Sequence, residues 1–397
     1  MFSGVRVLEV GTWVMAPSVG VLLADLGADV IKVEHPRTAD PVRALVVGGV
    51  IPADSHNPMV EHTNRGKRSI GLDFATTEGR EALYRLAETC DVFLTNLLPA
   101  VRERLEVDVE HIRARNPNIV YARVDALGPN GPDRGKPGFD SSVFFGRAGI
   151  LHALTPDGAD LIHARPGLGD RVAALAVAFG VASALFGRER TGDAPVVDAS
   201  LFGAALWAGS LDIAYSGMLG EDFSRAERPV TNPIGTQYRT ADGRWIMLAM
   251  FQSDRWWPDF CRHLDREDLI ADPRFVDAAS RAENCVACSG EIQATFARAP
   301  LSEWRQRLAT LSAPWEVVQN PLEAYDDAQA VANGYLAAVD YPNGERRNVV
   351  NTPVQFDGEA AVPGIAPEWG QHTEEILLEL GYSWDDIARL QAAGGIS

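Results

Sequence analysis

Basic side chains are the scarce ingredient of this chain. Among its 397 residues, 36 Lys and Arg face 54 Asp and Glu, a formal net charge of −18. Nucleic acids and anionic membranes are held largely by clustered Lys and Arg, so general binding to either is excluded. Any anionic ligand has to be met by a local basic site. Cysteine is also sparse: Cys90, Cys261, Cys285 and Cys288 are too few to staple a chain of this size. Cys285 and Cys288 stand at C-x-x-C spacing, but no second Cys or His pair lies nearby, and "AENCVACSGEIQATFARA" around them reads as helix. They are expected to be two thiols on a helical face, with no metal or redox role. The opening "MFSGVRVLEV" lacks a basic region leading into a long apolar stretch, and no uninterrupted run is suited to span a bilayer. The expectation is a soluble, cytoplasmic protein. No G-x-G-x-x-G follows the first strand, which argues against nicotinamide and flavin dinucleotides. No G-x-S-x-G occurs, so a serine-elbow hydrolase has no handle. The eight histidines show no triad or metal-ligand spacing, and no metal is expected.

What the chain does contain is an alternation of short β-branched runs and amphipathic helices, the mark of a parallel sheet with crossover helices. "VRVLEV", "ADVIKVE", "RSIGLDF", "DVFLTN" and "NIVYARV" read as strands. Between them "PSVGVLLADLG", "TEGREALYRLAETC" (with Thr77 as N-cap) and the single stretch "AVRERLEVDVEHIRARNP" read as helices. An apolar helix from Arg171 and "APVVDASLFGAALWAG" complete residues 1–215, the N-terminal part of a large Rossmann-like domain. The polar, proline-bearing residues 216–233 read as a linker. A hairpin turning on Asp242-Gly243 opens a smaller α+β domain, 234–325. Residues 326–397 form a second linker and a return to the large domain. For this length about two to three domains are expected.

Four segments could carry chemistry. In "ARPGLGDRVAALAVAFG", Asp170 follows Gly167 and Gly169 and precedes a helix too apolar to be anything but core. Asp is a strong N-cap. At a helix N-terminus it is also a carboxylate kept ionised and poised for attack, with the glycines leaving room for a substrate carbonyl. The two roles are compatible. "HTNRGKRSIGLDF" gathers Arg65, Lys67 and Arg68, read as a solvated basic loop in preference to a phosphate site. "NLLPAVRERLEV" puts Asn96 at the carboxyl end of a parallel strand, where open α/β sheets bind ligands, and arginines follow it. "GKPGFDSSVFFGRAG" sets Asp140 before Phe144 and Phe145, as a turn over a buried aromatic pair or as part of a site.

Taken in order along nearly the whole chain, "APSVGVLLADLGADVIKVEHP", "NRGKRSIGLDF", "DVFLTNLLPAVRERL", "NPNIVYARVDALGPNGP", "PGLGD", "RERTGDAPVVDASLF" and "YRTADGRWIMLA" resemble the class III CoA-transferases, the CaiB/BaiF type. The resemblance implies an interlocked homodimer, each subunit having a Rossmann-like large domain made from both chain ends and a smaller domain between. It implies coenzyme A as co-substrate and a small carboxylic acid and an acyl-CoA as partners. Asp170 would be the nucleophile, passing through a mixed anhydride and then an aspartyl-CoA thioester, with Asp140 in support. By the same resemblance Leu72 and Phe74 lie near the adenine, Asn96, Leu97 and Arg104 near the phosphates and pantetheine, and Lys136 belongs to the CoA site. A basic residue after the second strand corresponds to His35 or Arg37. Where the family reads "NFRPG", this chain reads "NLLPA".

The related racemases carry a "GHD" whose histidine is one of two proton-transfer bases, and here Phe139 stands in its place in "GFD". Removing one base costs most of a racemisation rate, so CoA transfer is favoured. A racemase or epimerase and a non-catalytic CoA-binding homologue are the alternatives. Trp13, Val14 and Met15 occupy the stretch where transferases for polar acids place a glutamine. With Phe139, Gly167 and Gly169 they are expected to frame a pocket for an apolar or aromatic acyl group.

Overall fold

Apolar residues on both sides of each pleat decide the architecture of the first half. The computed structural model describes residues 1–45, 57–223 and 231–396. The chain forms β1 (Arg6–Val10), α1 (Met15–Asp25), β2 (Asp29–Glu34), α2 (Pro58–Asn64), β3 (Arg68–Gly71), α3 (Thr77–Glu88), β4 (Val92–Thr95), α4 (Pro99–Arg104), α5 (Val109–Arg115) and β5 (Val120–Asp125). A π-helical segment, Ser141–Arg147, and α6 (Ile150–Leu154) precede the long α7 (Leu168–Thr191), followed by β6 (Val196–Ser200), α8 (Leu201–Ala208) and α9 (Ser210–Leu219). The six strands are parallel in the order β3-β2-β1-β4-β5-β6. Successive side chains point to opposite faces: Val7, Val92 and Val120 pack with α1 and α7, while Leu8, Phe93 and Tyr121 pack with α3 and α5. The chain end closes the second face, where Ile376, Leu377, Ile387 and Leu390 join that core and Leu72 bridges to Ile396.

The chain divides into two units, Met1–Arg225 with Ala328–Ser397, and Ala226–Asp327. The second unit holds the hairpin β7 (Gln237–Arg239) and β8 (Trp245–Leu248), to which β9 (Trp315–Val317) adds antiparallel. Gly243 takes φ 78° in its turn. Trp257, Phe260, Phe296 and Trp304 form its core, and Cys285 and Cys288 are buried free thiols on one helix.

Several local expectations are corrected. The N-cap of α3 is Thr76, whose hydroxyl accepts the Gly79 N–H at 3.1 Å, because the helix starts at Thr77 and the cap must precede it. The stretch after Pro99 is two helices, interrupted where Glu106 takes φ 57° and Asp108 caps α5. Helix α9 runs into the expected linker as far as Leu219, and residues 224–230 of that linker lie outside the described residues. By length and composition α7 could cross a bilayer, and it is not buried all round. Ala173, Val177 and Val181 face the core, whereas Leu168, Val172, Leu175, Phe179 and Phe186 are exposed.

The basic loop is neither solvated nor an anion site. Arg65 pairs with Asp25 at 2.7 Å, and Arg68 pairs with Asp29 at 2.7 Å and with Glu379 at 2.6 Å. Lys67, fully covered, donates to Glu9 Oε2 at 2.6 Å, to Thr63 O at 2.6 Å and to Pro17 O at 2.8 Å. Burial holds the Lys67 ammonium down at about 8 against the attraction of Glu9. This pair fits only because α1 presents no side chain at Gly20, where a Cβ would stand 2.0 Å from Glu9 Oε2 and 2.9 Å from Lys67 Nζ. Gly20→Ala is therefore expected to destabilise the protein by about 1–3 kcal/mol through overpacking, despite the better helix propensity of Ala. Chemical denaturation reads the sign, and a raised midpoint would show that the pair can move aside.

Candidate active site

The chain runs outward from β1 to β2 and β3 and then returns to β4 on the other side of β1. Such a reversal opens a crevice at the carboxyl ends of β1 and β4, where ligands bind in open α/β sheets. Thr12 and Asn96 follow those two strands. The Asn96 amide clamps the loop after β1: its Oδ1 accepts the Thr12 N–H at 3.0 Å and its Nδ2 donates to Thr12 O at 2.7 Å. A side chain expected at a phosphate is thus spent on the main chain that carries Trp13. The Trp13 ring meets the Phe139 ring edge to face, with centroids 5.4 Å apart.

Helix α7 brings Asp170 to the same crevice, and its cap comes from elsewhere in the chain. Gly167 occupies the cap position at φ 87°, which an L side chain rarely adopts, and offers no capping side chain. The exposed N–H groups are met instead by the buried Asp140, whose Oδ2 accepts from Gly167 N at 2.7 Å and from Gly169 N at 3.2 Å. Asp170 is the third residue of the helix and not its cap. Gly169 is small for a different reason than the one expected. A Cβ there would lie 2.6 Å from Phe144 Cγ, so the space belongs to that ring and not to a ligand.

Relieved of capping, the Asp170 carboxyl faces the cavity with no hydrogen-bond donor among the described residues. Burial, reinforced by the charge of Asp140 and opposed by Arg171, pushes it up to about 7. The helix end therefore does not keep it fully ionised at neutral pH, because desolvation outweighs the dipole. Arg171 itself is brought down to about 10, by burial first and by Arg65 second, and donates to His62 O at 2.8 Å.

The cavity measures about 440 Å³, and its lining includes Trp13, Val14, Met15, Asn96, Leu97, Phe139, Asp140, Gly167 and Asp170. The expected pocket residues thus come together, Gly169 excepted. Sequence reasoning missed Met59, Leu98, Val101 and Leu201, which complete the apolar wall. The departure "NLLPA" was the one signal that pointed to Leu98. The other expected CoA residues do not line this cavity. Leu72 is fully buried, Phe74 packs on the core beyond β3, and Arg104 and Lys136 are exposed. Arg37 and His35 both lie near Asp73, at 3.4 and 3.6 Å. Among the described residues no group of three His, Cys, Asp or Glu side chains could hold a metal ion.

The whole-chain comparisons agree with one another. The profile of CoA-transferase family III matches residues 2–373. (R)-2-Hydroxy-4-methylpentanoate CoA-transferase of Clostridioides difficile is 33% identical over 98% of this chain and 97% of its own. Cinnamoyl-CoA:phenyllactate CoA-transferase of Clostridium sporogenes is 31% identical over 98% of this chain and 96% of its own. The crystal structure of a CAIB/BAIF family protein from Brucella suis superposes with a TM-score of 0.82 at 25% identity, covering 96% of this chain and 99% of that one. Matched in sequence and in fold over nearly its full length, the chain belongs to CoA-transferase family III, the CaiB/BaiF family, and is a CoA-transferase.

Proposed function

We propose that this CoA-transferase moves CoA from an acyl-CoA with an apolar or aromatic acyl group to a second carboxylic acid, with Asp170 as the covalent nucleophile. The observation that carries the reading is a carboxyl with no hydrogen-bond donor among the described residues, set at the wall of an apolar cavity that Trp13 and Phe139 help to enclose. The Asp170 carboxylate attacks the thioester carbonyl and the C–S bond breaks, leaving a mixed anhydride and the CoA thiolate. The thiolate then attacks the aspartyl carbonyl and expels the donor acid as its carboxylate, forming an aspartyl-CoA thioester. The acceptor carboxylate attacks that thioester and releases thiolate, which attacks the acceptor carbonyl and restores Asp170. Division into covalent steps is the benefit of nucleophilic catalysis.

In this reading Asp140 fixes the turn that aims Asp170. Arg37, Arg104 and Lys136 meet the CoA phosphates, and Phe74, Asn96 and Leu97 contact the rest of the cofactor, whereas the fully covered Leu72 has no surface to offer it. The relatives whose names specify a branched aliphatic and an aromatic acid support an apolar acyl group. The exposed apolar stripe of α7 supports a homodimer, interlocked as in the resemblance. Light scattering is expected to give twice the mass of one chain, and a monomer would remove the dimer.

Incubation with an apolar acyl-CoA followed by hydroxylamine is expected to leave a hydroxamate on Asp170, located by mass spectrometry. Asp170→Ala is expected to lose the adduct and at least about a thousandfold in kcat. Turnover that survives, or α-carbon deuterium exchange without CoA transfer, would overturn the assignment. Only the carboxylate attacks, so the rate of adduct formation is expected to rise with pH and level off above about 7. Stability runs the other way. The ordinary Asp value is 3.8 and the folded value about 7, so the penalty for ionising Asp170 is absent below the first and complete above the second. Asp170→Asn is thus expected to melt a few degrees above the parent at pH 8, with the gap closing toward pH 4. Calorimetry across that range checks it.

A further inference from the structure

Trp13 takes φ 68°, the left-handed region, in which a bulky L side chain is strained and persists only when its surroundings over-determine it. Two constraints are visible. The Asn96 amide fixes Thr12 at both its N–H and its C=O, at 3.0 and 2.7 Å. The N–H of Trp13 itself is taken by Asp40 Oδ1 at 3.1 Å.

Asp40 is unusually well placed to hold it. The residue is 1% exposed and caps the short 3-10 turn Pro41–Ala44, its Oδ1 also accepting from Val42 N at 3.0 Å. Its Oδ2 meets Lys32 Nζ at 2.6 Å, and its own N–H donates to Glu34 Oε1 at 3.2 Å. Lys32 has no exposed surface and is also 3.4 Å from Glu9 Oε1. The carboxylate cannot rotate away from Trp13 without leaving a buried ammonium only its longer contact to Glu9, which costs far more than losing a surface pair would.

We propose that Asp40 is a positioning residue for acyl selectivity: braced by Lys32, it pins the Trp13 main chain in its left-handed conformation and so keeps the indole against Phe139 as the wall of the acyl cavity. Without that acceptor the backbone relaxes toward β or α dihedrals, the ring leaves Phe139, and the wall opens. The inference rests on the reading of this cavity as the acyl site.

A charge-balanced pair of variants isolates the hydrogen bond from the buried charge. Both Lys32→Met/Asp40→Asn and Lys32→Met/Asp40→Ala remove one charge of each sign and leave the Glu9–Lys67 pair intact. Only the first keeps an acceptor for Trp13 N–H. The readout is the ratio of kcat/KM for an apolar acyl-CoA to that for a short polar one. The Ala form is expected to lose about tenfold in this ratio, mostly through KM for the apolar substrate, and the Asn form to restore most of it. On a Trp13→Gly background, where φ 68° costs nothing and the ring is gone, the Ala form is expected to add no further loss. Equal behaviour of the Asn and Ala forms, or an undiminished loss on Trp13→Gly, would overturn the proposal. Hydroxylamine trapping on the parent separates the two readings: a missing Asp170 adduct condemns the proposed nucleophile, whereas an adduct with unchanged selectivity condemns Asp40. Should neither double variant fold, Trp13→Gly against Trp13→Ala reads the same constraint. Gly is expected to be the more stable, and Ala of equal stability would count against it.

Discussion

Four buried charges at the carboxyl ends of β1 and β2 hold this large unit in register with its site. Glu9 and Lys32 sit on neighbouring strands, Lys67 arrives from the turn before β3, and Asp40 from the loop after β2. Taking such groups out of water is expensive, and the cost is offset only where every partner is present. Here the Lys67 ammonium also ties down Pro17 of α1 and Thr63 of α2, and Asp40 ties down Trp13. Two strands, two helices and the loop above the cavity are therefore fixed to one another by the same cluster. The negative net charge of the chain makes this arrangement more telling, since two of its cations, Lys32 and Lys67, are committed inside the fold.

A second economy is visible at the start of α7. A helix N-terminus leaves unsatisfied N–H groups, and the obvious local acceptor, Asp170, does not take them. Asp140 takes them from a distance of 27 and 29 residues. The division of labour leaves Asp170 half-buried, without a hydrogen-bond donor among the described residues and next to a like charge, which is unfavourable for stability and suited to a nucleophile. Gly167 and Gly169 serve this arrangement separately, one through its backbone angle and the other through contact with Phe144.

Much of the fold could be read from short stretches. The β-branched runs mark the parallel strands, Asp242-Gly243 marks the hairpin, and two glycines before an apolar helix mark Asp170. What escaped was everything that depends on a remote partner. Nothing near Arg65, Lys67 or Arg68 in sequence announces Asp25, Glu9, Asp29 or Glu379. Nothing near Asn96 announces that Thr12 will use both ends of its amide. The apolar composition of α7 suggested a helix buried all round, although only one face meets the sheet and the other is exposed.

The sequence by itself determined the order of strands and helices, the place of Asp170 at the start of an apolar helix and the apolar character of the residues around it. These are properties of backbone propensity and side-chain periodicity, which act over a turn or two of chain. Only the tertiary structure decided which carboxylate caps the helix, which cations are withdrawn from solvent and which residue pins Trp13. Those outcomes depend on distance in space, because desolvation and hydrogen bonding act between whatever groups the fold brings together.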